Sequence, residues 1–280
     1  MAHLEDSRRG GSKKPVKNYL KKGFRVCELP FERGLTVLII LVALMVWELG
    51  VYVGWFSPLF FPPPSVIFST FIKLILNKKM VDNTGMTLWR VFQGLLLGGI
   101  PGLILGLILG WSHRLYRIIN PFVAAGHPVP KIAILPLIMI IFGIGESSKI
   151  VVIALTAFFP ILINTALGVQ QISPIHFEVA KNYGANLTKT FTRVTFPGSL
   201  PMIIAGLRLS LNMGLLVTIA VEMVSAQKGL GAMIWLAWQT LRTEELYVSL
   251  AVTAVLGIIF NFLLHRLTRS LVPWQTEQRI

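Results

Sequence analysis

Residues 173–199 read SPIHFEVAKNYGANLTKTFTRVTFPGS, a polar interruption between two long apolar runs. Ser173 is a residue type that caps helices and Pro174 suits the first helical position, so a helix starts there. Gly184 ends it, because glycine takes positive φ without steric cost. A second short helix is expected from about Asn186 to Val194, stopped by Pro197. The pair has polar and apolar faces but no span to bury against, which suits it to meet another molecule in the cytosol.

The flanking runs are too long and apolar for a soluble domain. Ile150 to Val169 precedes the loop, with Pro160 and Asn164 inside it; Leu200 to Val224 follows, with Arg208, Asn212, Thr218 and Glu222. The whole chain of 280 residues is 54% hydrophobic and only 14% charged, with a mean hydropathy of +0.70. Soluble domains carry about 25% charged residues, so the bilayer is the solvent, and one crossing takes about 20 apolar residues. Six crossings fit this length: Gly34 to Val53, Val91 to Gly110, a third ending in Ile132 to Gly143, the two runs beside the loop, and Tyr247 to His265. The fold class is therefore an all-α membrane protein of six transmembrane helices. Residues 1–33 form a basic tail, 34–270 the membrane domain with its loop at 170–199, and 271–280 a short C-terminal tail.

Two segments break the pattern. Val66 to Leu76, after Pro62, Pro63 and Pro64, reaches only about half the hydrocarbon thickness and reads as an interfacial or docked helix. The third crossing must incorporate Pro121, Pro128 and Pro130, and irregular backbone at that depth is tolerated only where it packs on protein or lines a wet cavity. In the second, Gly94, Gly98, Gly102, Gly106 and Gly110 recur every fourth residue, a stripe that lets another helix approach closely; tight packing and a sliding contact are both open readings.

The formal charge of +14 sets orientation. Nine cations between Arg8 and Arg33 precede the first span, and with both termini cytoplasmic the inside segments hold 17 Lys and Arg against 6 outside. The tail suits lipid headgroups, and no basic–aromatic interleaving of a nucleic-acid binder follows it. Cys27 is the sole cysteine, so no intrachain disulfide forms. The first apolar run starts too late, and is too long, for a secretory signal.

Glu178-Val-Ala180-x3-Gly184, then nine residues and Val194-Thr-Phe196-Pro197, resembles the EAA loop of ABC importer permeases; Val179, Val194 and Phe196 depart from its consensus but stay apolar. Trp47-Glu48, the Pro62 to Ser65 run, Phe142 to Glu146, Gly206-Leu-Arg208 and Glu222-Met223 with Gly229-Leu-Gly231 extend the resemblance to the nitrate, sulfonate, taurine and bicarbonate permeases, over nearly all the chain after Leu35. The resemblance implies a type I importer fold in a bacterial inner membrane. It implies a homodimer of this permease, two cytoplasmic ABC ATPase subunits, and a periplasmic or lipid-anchored solute-binding protein. Glu178, Ala180, Lys181, Tyr183, Gly184, Ala185 and Pro197 would couple it to the ATPase. The sequence has no G-x-x-x-x-G-K-[ST] phosphate loop, so ATP and Mg are expected on the partner subunits, with no cofactor, metal or catalytic residue in this chain.

For a small anion, Arg208, Asn212, Asn164 and Lys131 are polar groups in or near spans that suit a translocation path. Arg208 also fits snorkelling to headgroups, and both asparagines fit helix-to-helix bonding. Glu222 reads as a structural partner of a backbone or cation, Thr218 as packing, and Glu48 beside Trp47 as interfacial. A secondary transporter remains an alternative for the broken third span. An intramembrane enzyme fits less well, because His3, His113, His127, His176 and His265 are scattered, with no H-E-x-x-H or G-x-S-x-G frame.

Overall fold

The computed structural model describes residues 30–274, with side chains from Gly34 onward. The basic tail through residue 29, with Cys27, and residues 275–280 lie outside the described residues. The chain divides at Ala43, and the unit that starts at Leu44 carries the features below.

The described residues form helices and no strand: α1 (Pro30–Tyr52), α2 (Pro64–Leu76), α3 (Lys79–Trp111), α4 (His113–Gly126), α5 (Leu135–Phe142), α6 (Glu146–Gln170), α7 (Pro174–Asn182), α8 (Leu187–Thr190), α9 (Phe196–Ser225), α10 (Leu230–Gln239) and α11 (Thr243–Leu271). Five helices are long and apolar enough to cross a membrane, α8 and α9 counting as one; the sixth crossing expected from the sequence rests on a pair, His113–Gly126 and Lys131–Phe142, bent by 81° at the proline-rich break. Broken backbone is what Pro128 and Pro130 enforce, since neither can donate to the helix ladder.

α3 and α6 form the tightest seam. A Cβ on Gly102 would lie 2.7 Å from the Phe158 carbonyl oxygen, and one on Gly106 would lie 2.6 Å from Thr165 Cβ. Only hydrogen fits at such distances, so the four-residue glycine spacing is a helix-packing seam. A second apolar cluster joins Leu135 and Ile138 of α5 to Val152 of α6 and Val221 of α9. A third draws on α2, α3, α9, α10 and α11, centred on Leu74, Met80, Leu215, Leu230 and Val248.

Several sequence expectations need correction. The second span starts at Lys79, not Val91, because Asn83, Thr87 and Arg90 are held by α9 and the turn after it; its 33 residues extend about 50 Å, well beyond the hydrocarbon. The segment between the fifth and sixth spans, left without an element by the sequence, contains α10, buried along one face and too short to announce itself as a crossing. Pro197 does not stop the second loop helix. Phe191–Thr195 widens into a π turn, the Phe196 N–H bonds to the Phe191 carbonyl, and the helix continues through Pro197 into α9. The wide turn gives the proline ring room beside a carbonyl it cannot bond. Glu48 is not merely interfacial: it accepts from the Ser65 N–H at 3.1 Å and the Ser65 hydroxyl at 2.6 Å, closing the N-terminus of α2. α2 itself is docked, as its length suggested, with Leu74 buried.

Candidate functional site

The loop between α6 and α9 is built by local rules. Ser173 stands at the N-cap of α7 but makes no side-chain bond to it, so the expected cap is not made; Pro174 opens the helix. Gly184 takes φ +68°; its N–H bonds to the Lys181 carbonyl at 3.0 Å and the Ala185 N–H to the Ala180 carbonyl at 2.9 Å, the paired bonds of a Schellman ending. The next residues reverse direction, and the Asn186 side chain caps α8 by accepting from the Lys189 N–H at 2.8 Å. Phe177 meets Trp111, at the end of α3, edge-on at 6.2 Å. Between α7 and α8 lies an open hollow of about 630 Å³, lined in part by Phe177, Lys181, Ala185, Asn186 and Leu187.

No residue of α7 is buried. Ile175, Val179 and Tyr183, four apart and so on one stripe, are 59%, 47% and 88% exposed. Glu178 and Lys181 are exposed as well, Ala180 and Ala185 half-buried. Pro197 is separated from this group by α8 and the π turn.

The four candidate path residues do not form one constellation. Arg208 and Asn212 are both half-buried on α9 and differ by about 40° around it, so they share a face; Arg208 Nε is buried without a hydrogen-bond partner. Asn164 donates to the Pro160 carbonyl of its own helix at 2.8 Å, while the backbone of Gly206 presses against its Cβ. Lys131 is committed to the break: its ammonium donates to the carbonyls of Gly126, His127 and Val129 at 2.7, 2.7 and 2.8 Å, and stands 4.6 Å over the Phe159 ring. It thereby satisfies carbonyls that the broken helix leaves without N–H partners. Thr218 is buried and donates to the Gly214 carbonyl at 2.7 Å.

Sequence reasoning missed a buried polar cluster. Arg90, 1% exposed, donates through Nε and Nη2 to Glu146 at 2.6 and 2.8 Å, and through Nη1 to Glu222 and the Lys228 carbonyl, both at 2.6 Å. Glu222, fully buried, also accepts from the Thr87 hydroxyl and from the Gly231 N–H at 2.9 Å. Lys149 adds a bond to Glu146 at 2.8 Å. Thr87 accepts the Leu230 N–H at 2.9 Å and Asn83 the Gly229 N–H at 2.6 Å, so one face of α3 pins the turn into α10. Gly229 has φ +125°, and a Cβ there would strike the Glu222 carboxylate. The signal in the sequence was Glu222 itself, whose expected role as partner of a backbone and a cation the geometry bears out.

A helical bundle with a glycine seam, a bent third crossing and an exposed two-helix loop between α6 and α9 has the layout of a membrane transport subunit. Residues 102–277 match the family of binding-protein-dependent transport system inner membrane components, and the chain belongs to that family. It is 32% identical over 255 residues to the taurine transport system permease protein TauC of Escherichia coli, covering 89% of this chain and 93% of that one. It is 34% identical over 229 residues to the putative aliphatic sulfonates transport permease protein SsuC of the same organism, covering 82% and 87%. Among solved structures, the inward-facing MetNI methionine ABC transporter superposes with a TM-score of 0.61 at 20% identity, over 70% of this chain and 97% of that one. The fold is that of a type I ABC importer permease, and the protein is a multi-pass membrane permease subunit of such an importer.

Proposed function

We propose that the chain forms the membrane path of an ATP-driven importer for a small anion of the sulfonate, nitrate or bicarbonate kind, working as a homodimer. A solute-binding protein outside delivers the anion, and two cytoplasmic ATPase subunits bind ATP and Mg and supply the energy; this chain needs no cofactor of its own. Both termini and the α7–α8 loop face the cytoplasm of a bacterial inner membrane. The observation that carries the reading is the exposed stripe of Ile175 and Val179 on α7 and Tyr183 at its C-cap, a largely apolar ridge with Glu178 and Lys181 beside it. Such a ridge suits a groove on the ATPase, with Gly184 setting the angle at which it is presented and Ala180 and Ala185 closing the turn behind it.

Closure of the ATPase dimer would bring the two loops together and favour an outward-open bundle; hydrolysis would release it. Each step biases a two-state assembly, with no chemistry in the membrane. The path is assigned to the Arg208 and Asn212 face of α9, with Asn164 and Lys131 as supports of the helices around it. The test is uptake of radiolabelled taurine, nitrate and bicarbonate by cells carrying the complete system, with an active or a hydrolysis-dead ATPase subunit. Uptake of one of these solutes, the sulfonate group of taurine standing for the anionic head, that stops with the dead subunit is expected; uptake that persists would make the chain a secondary transporter.

A further inference from the structure

Between α1 and α2 the chain forms an irregular strap, residues 53–63, that the importer reading leaves without a role. From Gly50 to Ile72 it carries no Asp, Glu, Lys, Arg or His. Tyr52, Trp55 and Phe60 are 91%, 76% and 59% exposed, and Val53, Leu59 and Phe61 are exposed beside them. Facing water, a patch of this composition would drive aggregation, so an apolar environment covers it. The strap is braced from within: the Phe56 ring lies against Gly50, where a Cβ would come within 2.9 Å of it, and its centroid is 5.5 Å from that of Phe61.

The backbone identifies the covering. In an irregular loop exposed to water, amide groups are free to bond solvent, but here they turn inward. The N–H groups of Val53, Gly54, Trp55 and Phe56 bond to carbonyls in the last turn of α1, and those of Phe60 and Phe61 to the Ser57 carbonyl. Pro58, Pro62 and Pro63 have no N–H, so within residues 53–63 only Ser57 and Leu59 keep an unbonded donor. The Leu59 carbonyl accepts the Thr243 hydroxyl at 2.6 Å. A backbone satisfied internally beneath outward apolar side chains is what lipid requires and water does not. The strap also lies at the right level. Tyr52 ends α1, Thr243 opens α11, and Lys79 at the start of α3 pairs with Glu245 of α11 at 2.7 Å, so three span ends meet here. Trp111, at the far end of α3, meets α7, which puts the strap on the opposite membrane face from the α7–α8 loop. Tyr and Trp collect at that boundary. Lys73 and Lys78, exposed and without an ion pair among the described residues, follow the charge-free stretch and supply cations for lipid phosphates. A soluble protein partner would need a polar rim and about one hydrogen bond per 100–200 Å² of contact, which a strap without charge and with two unbonded N–H groups does not offer.

We infer that the strap is a lipid-seated anchor: it rests in the boundary between phospholipid headgroups and acyl chains, in the leaflet opposite the α7–α8 loop, with Tyr52, Trp55 and Phe60 as its inserted side chains. Through Glu48 on Ser65 and Thr243 on Leu59 it fixes the depth of α2 and of the start of α11. The inference holds whichever solute crosses.

The test places a nitroxide label on Trp55→Cys and, separately, on Val53→Cys, each in a Cys27→Ser background; the second variant leaves every aromatic side chain in place. The labelled permease, assembled with its ATPase subunits, is put into nanodiscs of phosphatidylethanolamine and phosphatidylglycerol. Oxygen concentrates in lipid and a neutral nickel chelate in water, so the ratio of their collision rates with the label reports its surroundings. At both positions the oxygen-to-nickel ratio should be at least about fivefold above that of the same label free in buffer, and adding the purified solute-binding protein should not change it. A ratio close to the buffer value overturns the anchor. A fall in both collision rates when the binding protein is added overturns it in favour of a protein dock. Low rates with both reagents from the outset, with dipolar broadening between two labels, overturn it in favour of a contact between copies.

Discussion

Arg90→Met is the sharpest perturbation of the fold. Arg90 is enclosed between α3, α6, α9 and the turn into α10, and its four hydrogen bonds reach two carboxylates and a carbonyl. Methionine matches the length of its stem but brings no charge. Glu146 is half-exposed and keeps Lys149, so it loses little, by surface-pair standards under about 1 kcal/mol. Glu222 has no such recourse: its remaining donors are the Thr87 hydroxyl and the Gly231 N–H, leaving a buried carboxylate without a cation. Stranding one member of a buried pair costs about 3–5 kcal/mol. For a domain of this size, at roughly 2–4 °C per kcal/mol, the melting temperature in detergent should fall by about 6–20 °C. Glu222→Gln added to Arg90→Met removes the stranded charge while keeping an acceptor for Gly231, so the double variant should recover roughly 2 kcal/mol. A single variant that loses under about 1 kcal/mol, or a double variant no better than the sum of the singles, would refute the claim that this pair carries the junction.

Other outcomes follow from single positions. Gly184→Val, at φ +68°, should cost about 1–2 kcal/mol locally and re-aim α7, lowering ATPase stimulation while membrane insertion survives; normal stimulation would mean the turn does not set the contact. Asn186→Cys in a Cys27→Ser background should be labelled by an impermeant thiol reagent only from the cytoplasmic side, and labelling of intact cells from outside would reverse the topology. Gly106→Leu should separate α3 from α6 and cost at least about 1–3 kcal/mol by overpacking, read as a lower melting temperature of the purified protein. Asn212→Leu should reduce uptake with the complex still assembled; unchanged uptake would remove Asn212 from the path.

The long apolar runs were legible because a bilayer demands them, and the bounds of α7 because Pro174 and Gly184 each have a local reason for their place. What escaped was decided at a distance. Arg90 meets Glu146 and Glu222 across 56 and 132 residues of chain, and nothing local to Arg90 says that it lies inside rather than at a span's edge. The same cluster lets α3 run twelve residues upstream of its apolar stretch, since Asn83 and Thr87 are satisfied by the turn before α10. α10 was hidden because ten residues are too few to cross and its burial comes entirely from neighbours. Pro197 misled for a different reason: a proline reads as a stop, but one wide π turn accommodates it. For Lys131 the sequence shows a cation near a span but not its partners, the carbonyls of the kink beside it, because these are set by how the chain bends there.

The polar cluster and the glycine seam are one device seen along one helix face. Asn83, Thr87, Arg90, Gly94, Gly98, Gly102 and Gly106 follow one another on α3 at intervals of three or four residues, the first three bonded to α6, α9 or the turn into α10, the rest seated against α6. Charge-assisted bonds lock one end of that face and backbone-close packing locks the remainder. Sliding α3 along α6 would require both to yield at once, because each glycine position admits no side chain and each charge has one geometry. The α3–α6–α9 body therefore moves as a unit. α9 is continuous through the π turn with α8, so in the proposed cycle a push on α7 would pass to that body through Gly184 and Asn186. In the proposed cycle the motion would then be a rotation of whole subunits about the α9 face, where Leu209, Met213 and Leu216 are 44%, 42% and 68% exposed, and the four-residue turn from Tyr183 to Asn186 is a joint whose stiffness sets how much of the stroke arrives.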